Sequence, residues 1–401
     1  MPATVRQDQT SISSTAPDMR PLTILQLIPA LDSGGAERCV LDVSQALVQS
    51  GHRSIVASAG GRFVELVTAA GGEHVQIAAG RKSPKVIGAI PPLRKLLLHQ
   101  HVDVVDVHSR LPAWLMQLVL KTLPTRHRPA LVTTVHGLNS PGLYSQVMLR
   151  ADAVVAVSEC VRQHLLQMAP GRDQRHVRVI ARGVDETQFP RGWRPTSAWQ
   201  DTFERQFPNL RGRLWLTLPG RLVRTKGHAD LLRLTATLLR QGHPVHALVV
   251  GDTYGRSHYV AELQHLAAAL GVGDQLTFTG HRSDIRDICA ASAVVFTLSH
   301  KPESFGLAAA ESLSLGIPVA GYAHGGSVEL FAACFPEGAV KPGDQAELAI
   351  VTRRLLAARA TATENSLLPR PFPFNRTSML ERTLNLYAEL VSIRRNAAGT
   401  H

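Results

Sequence analysis

The sequence predicts an α/β protein of two doubly wound parallel-sheet domains facing a cleft, and three observations carry that prediction. Its 401 residues are about two domains' worth at roughly 150 residues each, enough to bury two cores without disulfide staples. Short β-branched runs alternate with amphipathic stretches from Leu22 onward, the pattern of βαβ units. The alternation breaks once, at ETQFPRGWRPTSAWQDTFERQFPNLRG (186–212), and then restarts. The division that follows is a disordered lead-in (1–20), a first domain (21–185), a linker with one short helix (186–212), a second domain (213–375) and a closing helix with its tail (376–401).

In chain order, the first domain offers strands at LTILQLI (22–28), SIVAS (54–58), HVQI (74–77), VDVVDVH (102–108), ALVTTVH (130–136), AVVAV (153–157) and VRVI (177–180). The second offers LWLTLP (214–219), VHALVVG (245–251), QLTFTG (275–280), AVVFTLS (293–299) and PVAGY (318–322). After the proline-rich LLPRPFPFNR, a helical pattern from Thr377 to Arg395 puts Leu380, Leu384, Tyr387 and Val391 on one face.

Composition narrows the function classes. Hydrophobic residues are 44% and charged residues 18%, and no apolar run approaches the roughly 20 residues of a membrane helix. The lead-in MPATVRQDQTSISSTAPDMR is polar and lacks the apolar stretch of a secretory signal, so a cytoplasmic location is expected. Cys39, Cys160, Cys289 and Cys334 lie far apart with no C-x-x-C pair, as buried thiols in a reducing compartment do. The net charge of +12 and pI near 10.1 point to an anionic partner: nucleic acid, acidic lipid or sugar nucleotide. Aromatics at 5%, without basic-aromatic interleaving, argue against nucleic acid.

Open α/β sheets bind ligands at the carboxyl ends of their strands. Gly34 and Gly35 follow the first strand and precede a helix, where glycine lets backbone approach an anion; a plain βα turn is the alternative. His136 ends the strand ALVTTVH and His108 ends VDVVDVH; either is a cleft residue or a satisfied structural histidine. The turn GRLVRTKGH sets Arg221 and Lys226 where two cations can hold a pyrophosphate without a metal, unless the loop is merely solvated. It is no Walker A loop, which removes the main support for a phosphoryl-transfer ATPase. In KPESFGLAAAESLSLGIPVAGYAHGG a helix beginning near Phe305 carries Glu311 on its second turn, with Glu303 just before its N-terminus. Glu311 then suits a ribose diol and Glu303 a sugar hydroxyl, with the amides near Phe305, Gly306 and Leu307 facing a pyrophosphate. The competing reading has Glu303 capping the helix and Glu311 exposed.

With these residues in view, residues 20 to 395 resemble a retaining glycosyltransferase of family 4 with the two-Rossmann GT-B architecture. The resemblance rests on SGGAE (33–37), TTVHG (133–137), VSECV (157–161), GRLVRTKGH (220–228) and the E-x7-E segment from Glu303, in the family's order. PESFG, AHGG and the YS…M.RAD…VS block are similar to bacterial enzymes that build lipopolysaccharide or other envelope polysaccharide. One departure is RGVD (182–185), where many family members have NGVD. The resemblance implies a ribose contact at Glu311, a donor-sugar contact or nucleophile at Glu303, a pyrophosphate clamp at Arg221 and Lys226, and a donor-hexose contact at His136. It also implies a glycine-rich loop under the diphosphate at Gly35, and no metal. The donor is a nucleotide sugar, a UDP-sugar before GDP- or ADP-sugars, and the acceptor a glycan or glycolipid. Rivals are a nucleotide-sugar 2-epimerase of the same architecture and a two-lobed sugar-binding protein. Arg81, Lys82, Lys85, Arg94 and Lys95 form a basic segment for the anionic inner face of a membrane or, equally, a solvated helix face.

Overall fold

A computed structural model of the chain describes residues 20–32, 34–80, 84–171, 175–360 and 368–399. The lead-in residues 1–19, Ser33, and Arg81 and Lys82 of the basic segment lie outside the described residues, as does the side chain of Lys85.

The strands of the first sheet are β1 (Thr23–Leu27), β2 (Arg53–Ser58), β3 (Glu73–Gln76), β4 (Val104–Val107), β5 (Ala130–Val135), β6 (Ala153–Ala156) and β7 (Val177–Val179). Those of the second are β8 (Leu214–Pro219), β9 (Val245–Val250), β10 (Leu276–Phe278), β11 (Val294–Thr297), β12 (Val319–Tyr322) and β13 (Ala339–Val340). The sheets run β3-β2-β1-β4-β5-β6-β7 and β10-β9-β8-β11-β12-β13, with every pairing parallel. Helices cover both faces, so β4 and β5 are buried along their whole length, and their valine-rich runs follow from that two-sided burial. In each sheet the order reverses beside the first strand, between β1 and β4 and between β8 and β11, and a crevice opens there at the strands' carboxyl ends.

The two-residue β13 was not anticipated, because a pair of residues carries no periodicity to read. The expected strand 102–108 contracts to β4, leaving His108 beyond its end. The short helix in the linker is Ser197–Gln206, capped by the Thr196 hydroxyl accepting from the Trp199 amide. Its Trp199, Phe203 and Phe207 pack with Trp215 of β8, so this segment belongs to the second domain's packing.

The closing helix, Arg376–Gly399, lies against the first domain. It buries Met379, Leu386, Tyr387, Leu390 and Val391 with Leu22, Ile24, Cys39 and Val43, while Leu380 and Leu384 sit at the rim. Of the expected face, Tyr387 and Val391 are at its centre and Leu380 and Leu384 at its edge, and the buried stripe extends further to Met379, Leu386 and Leu390. The returning chain crosses the outgoing one at Gly183, where a Cβ would lie 2.4 Å from the Arg376 Cα, so only glycine fits the crossing. Beside the crossing, Val184 bridges Asn375.

Candidate active site

The crevices of the two sheets face each other and enclose two adjoining cavities. One, of about 470 Å3, is lined by Gly34, Gly35, His136, Arg221, Lys226, Glu303, Phe305, Gly306 and Leu307. The other, of about 430 Å3, is lined by Glu311, Leu307, Arg38, Ser283 to Asp287 and Arg376. Except for His108, which lies behind the wall, every site residue singled out from the sequence lines one cavity or the other, and Arg182 lines both.

The second-domain wall is built from loops following β8 and β11. After β8 the chain turns through Arg221 and a single 3-10 turn, Arg224–Lys226, into the helix His228–Arg240. After β11 it runs through Glu303 to the helix Leu307–Ser314, whose N-cap is Gly306 at φ 93°, a left-handed conformation suited to glycine. The Lys226 Nζ lies 2.5 Å from the Glu303 Oε1, both side chains part-buried, so the expected phosphate cation and the expected sugar carboxylate are in contact. The Phe305 side chain turns into the core against Phe374, leaving only backbone to the cavity. Glu311 sits on the second turn of its helix; burial pushes its carboxyl up to about 7, opposed by the nearby Arg182 and Arg38. Among the described residues the Glu311 carboxyl accepts no hydrogen bond that would favour its ionised form, and a diol can donate two.

The first-domain wall is different in kind. The His136 Nε2 and His108 Nδ1 lie 2.9 Å apart with their rings stacked. Behind them is buried Asp106, which accepts from the Thr134 hydroxyl at 2.8 Å and from the Tyr387 hydroxyl of the closing helix at 2.6 Å. Its Oδ2 is 3.7 Å from the His108 Nε2, too long for a hydrogen bond but close enough to bias the ring. Burial holds both histidines below the ordinary imidazole range, His136 well below it, with neighbouring His108 and Arg182 adding to the effect on His136. Both rings are therefore neutral near pH 7. The carboxylate favours a proton on the His108 Nε2, so His108 Nδ1 accepts from His136 Nε2–H, and the His136 Nδ1 is left as a lone pair with no partner.

Sequence reasoning weighed His108 weakly and missed Asp106, Arg38, the Ser283–Asp287 loop and the position of Arg182. The Ser283–Asp287 stretch runs from the turn after β10 into the helix Ile285–Ala291 and carries no motif. There the Trp199 indole donates to Asp284, and Arg286 stacks 3.7 Å over the Trp193 ring, so the linker aromatics hold this wall in place. A second contact crosses the cleft: Glu329 accepts from the amides of Glu159 and Cys160 at 3.0 and 2.7 Å, at the N-terminus of the first-domain helix Glu159–Met168. A carboxylate at that helix end is electrostatically favoured.

Residues 33–188 match the Glycosyltransferase Family 4 domain and residues 200–365 the Glycosyl transferases group 1 domain. A D-inositol 3-phosphate glycosyltransferase of Xylanimonas cellulosilytica is 32% identical over 194 residues, 45% of this chain and 43% of that protein. The chain thus matches about two fifths of the length of this relative. A crystal structure of a glycosyltransferase from Rickettsia africae superposes with a TM-score of 0.78 at 27% identity, over 93% of this chain and 99% of that one. Anabaena Alr3699/HepE, in complex with UDP and glucose, superposes at 0.72 with 22% identity over 92% and 100%, a likeness of fold. No helix among the described residues is long and apolar enough to cross a membrane.

Proposed function

Because this chain belongs to the GT-B glycosyltransferases, joining a family 4 domain to a group 1 domain, we propose that it moves a hexose from a nucleotide sugar to a hydroxyl of an envelope glycan or lipid-linked acceptor, with retention and without a metal. The observation that carries this reading is the partition of charge in the cleft. Arg221, Lys226 and Glu303 share one cavity, and Glu311 stands in the next, one helix away. In this reading Glu311 takes the ribose diol, Arg221 and Lys226 the diphosphate, and Glu303 a donor-sugar hydroxyl, while Gly34, Gly35 and the amides of Phe305, Gly306 and Leu307 allow close approach of phosphate. The neutral His136 accepts from another hydroxyl of the hexose. A uridine nucleotide is the first donor to test, since the Anabaena protein of the same fold is in complex with UDP and glucose.

In the transfer, the bond from the anomeric carbon to the diphosphate oxygen breaks and a bond to the acceptor oxygen forms on the same face. The acceptor proton passes to the departing phosphate oxygen, so the products are the glycoside and a nucleoside diphosphate. Arg221 and Lys226 neutralise the charge that develops on that oxygen. Lys226 must loosen its contact with Glu303 to do so, and the diphosphate and sugar hydroxyls supply the replacement partners for each. A thermal-shift comparison of UDP-, GDP- and ADP-sugars tests the donor, since a ligand at 100 times its Kd adds roughly 2.7 kcal/mol of stability. A radiolabelled-sugar assay with and without glycolipid acceptor then tests the transfer. Isomerisation of the donor with no acceptor present would instead make the protein a nucleotide-sugar epimerase, and a shift with neither reaction would make it a binding protein.

A further inference from the structure

Among the groups facing the cleft, Arg182 stands out. Its side chain follows β7 and belongs to the first-domain side, yet it lines both cavities, and only 6% of the residue is exposed. Of the other cations here, Lys226 has Glu303, Arg38 has Asp42 at 3.4 Å and Arg376 has Asp185 at 3.0 Å, while Arg221, which also has no ion pair among the described residues, is exposed to water. Arg182 has no ion pair among the described residues. Its one side-chain hydrogen bond runs from Nη1 to the Gly35 carbonyl, and its Nε has no partner. A buried guanidinium without a counterion is costly, by several kcal/mol for an unpaired ion. Its influence is felt all round the cleft: it opposes the upward push on the carboxyls of Glu37, Asp42 and Glu311 and adds to the downward push on His136. An anion arriving between the cavities meets an arginine already desolvated and held in place.

We propose that Arg182 is a third cation for the donor diphosphate, supplied from the wall opposite Arg221 and Lys226, so that the diphosphate is gripped between the two domains. The guanidinium fork matches phosphate oxygens in a way an amide cannot. The placement also gives Gly35 a second reason to be glycine, for a Cβ there would lie 3.1 Å from the Arg182 Nη1 and crowd the fork. The RGVD that departs from the commoner NGVD is then a gain of charge at the diphosphate. This inference rests on the nucleotide-sugar reading of the cleft and adds a residue to it.

The test separates nucleoside from diphosphate. Calorimetry with uridine and with UDP on the wild-type protein gives the advantage of the diphosphate as a ratio of the two Kd values. Arg182→Gln is expected to weaken UDP at least tenfold beyond any loss for uridine, which Arg182 reaches only through the Glu311 carboxyl it helps keep ionised, while Arg182→Lys, which keeps charge but not the fork, falls between. If Arg182 only braces the glycine-rich loop, uridine and UDP weaken together and Lys fares as badly as Gln, which overturns the proposal. An unchanged UDP-to-uridine ratio in both variants overturns it as well, while leaving the nucleotide-sugar reading intact. A wild-type protein that binds neither ligand overturns the uridine donor, and the Arg182 assignment with it. Should Arg182→Gln fail to fold, the same ratio in Arg182→Lys decides.

Discussion

On the second sheet, the loops after β8 and β11 bring Lys226 against Glu303, two charged, part-buried groups that water still reaches. On the first sheet, the ends of β4 and β5 bring His108, which is buried, against His136, which is half-buried at the cavity, two neutral rings over a buried Asp106. The topology is the same in both places, a crevice where strand order reverses, but the second-sheet loops present a charged pair, while the ends of β4 and β5 present, beside Arg182, two rings with hydrogen-bonding capacity and no charge. A diphosphate needs the first and a neutral sugar ring the second. The walls also differ in how they are held. Lys226 and Glu303 sit on short loops whose geometry is local, whereas Asp106 depends on Tyr387, a hydroxyl 281 residues further along the chain.

The largest effect expected from breaking this contrast is on the charged wall. Lys226→Ala should lower kcat by about 10²–10³-fold, the loss typical of one donor to a developing oxyanion. Added magnesium should not restore it. Full activity in the variant, or rescue by magnesium, would remove the metal-free clamp and with it the assignment of charge to the second sheet.

On the uncharged wall, Asp106→Asn removes the negative charge that orients His108 and leaves the Tyr387 and Thr134 hydroxyls an amide to share. Hydrogen bonds to charged groups are worth ~1.5–3 kcal/mol, so a loss of kcat of roughly 10–100-fold is expected, with the Kd for UDP unchanged. Tyr387→Phe takes away one of those bonds from outside the site and should cost stability in urea unfolding more than it costs kcat. If Asp106→Asn weakened UDP as much as it slowed turnover, Asp106 would be bracing the whole cleft and not orienting the sugar side.

That same contrast explains what could be read from the residues in advance. Arg221, Lys226, Glu303 and Glu311 stand in contiguous motifs, since a βα loop and the helix after it are enough to aim them, and the structure does bring them to one place. The sheets were legible for a similar reason: a strand buried on both faces is a run of valine and isoleucine between turns. Asp106 is different. Within VDVVDVH it reads as one polar residue in a strand, and nothing nearby says that a tyrosine of the closing helix will meet it. Arg182 was visible only as an oddity, because its environment depends on where the returning chain crosses at Gly183. The extension of the closing helix's buried stripe to Met379, Leu386 and Leu390 has the same origin, as the first domain it covers is remote in sequence.

A smaller effect comes from Glu311. Its carboxyl is pushed up to about 7 by burial, and a ribose diol donating two hydrogen bonds favours the ionised form. Below pH 7 the group is protonated before ligand binds, so binding must expel a proton and affinity falls; above it the carboxylate is ready. Between pH 8 and pH 6 the affinity for uridine, which has no phosphate to titrate, should fall about tenfold. Glu311→Gln should flatten that dependence and weaken binding at pH 8. A flat profile in the wild-type protein would mean that Glu311 takes up no hydroxyls.

The remaining comparison concerns the outer surfaces of the two domains, where a lipid-linked acceptor would require docking on an anionic membrane face. Of the basic segment that motivates this, Arg94 and Lys95 project from the first-domain helix Ile90–His99 and are exposed. The second domain offers a fair comparison in Arg353 and Arg354, also adjacent, also exposed and on the helix Gln345–Ala360. Each cation near an anionic surface is worth about 1 kcal/mol, so replacing Arg94 and Lys95 by glutamine should weaken cosedimentation with phosphatidylserine vesicles roughly 30-fold at low salt. The same change at Arg353 and Arg354 should do far less if the first domain is the one that faces the membrane. Equal losses from both pairs would mean that the net charge of +12 binds vesicles without orientation. No cosedimentation at low salt would remove the membrane surface altogether and direct the search for the acceptor to soluble sugars.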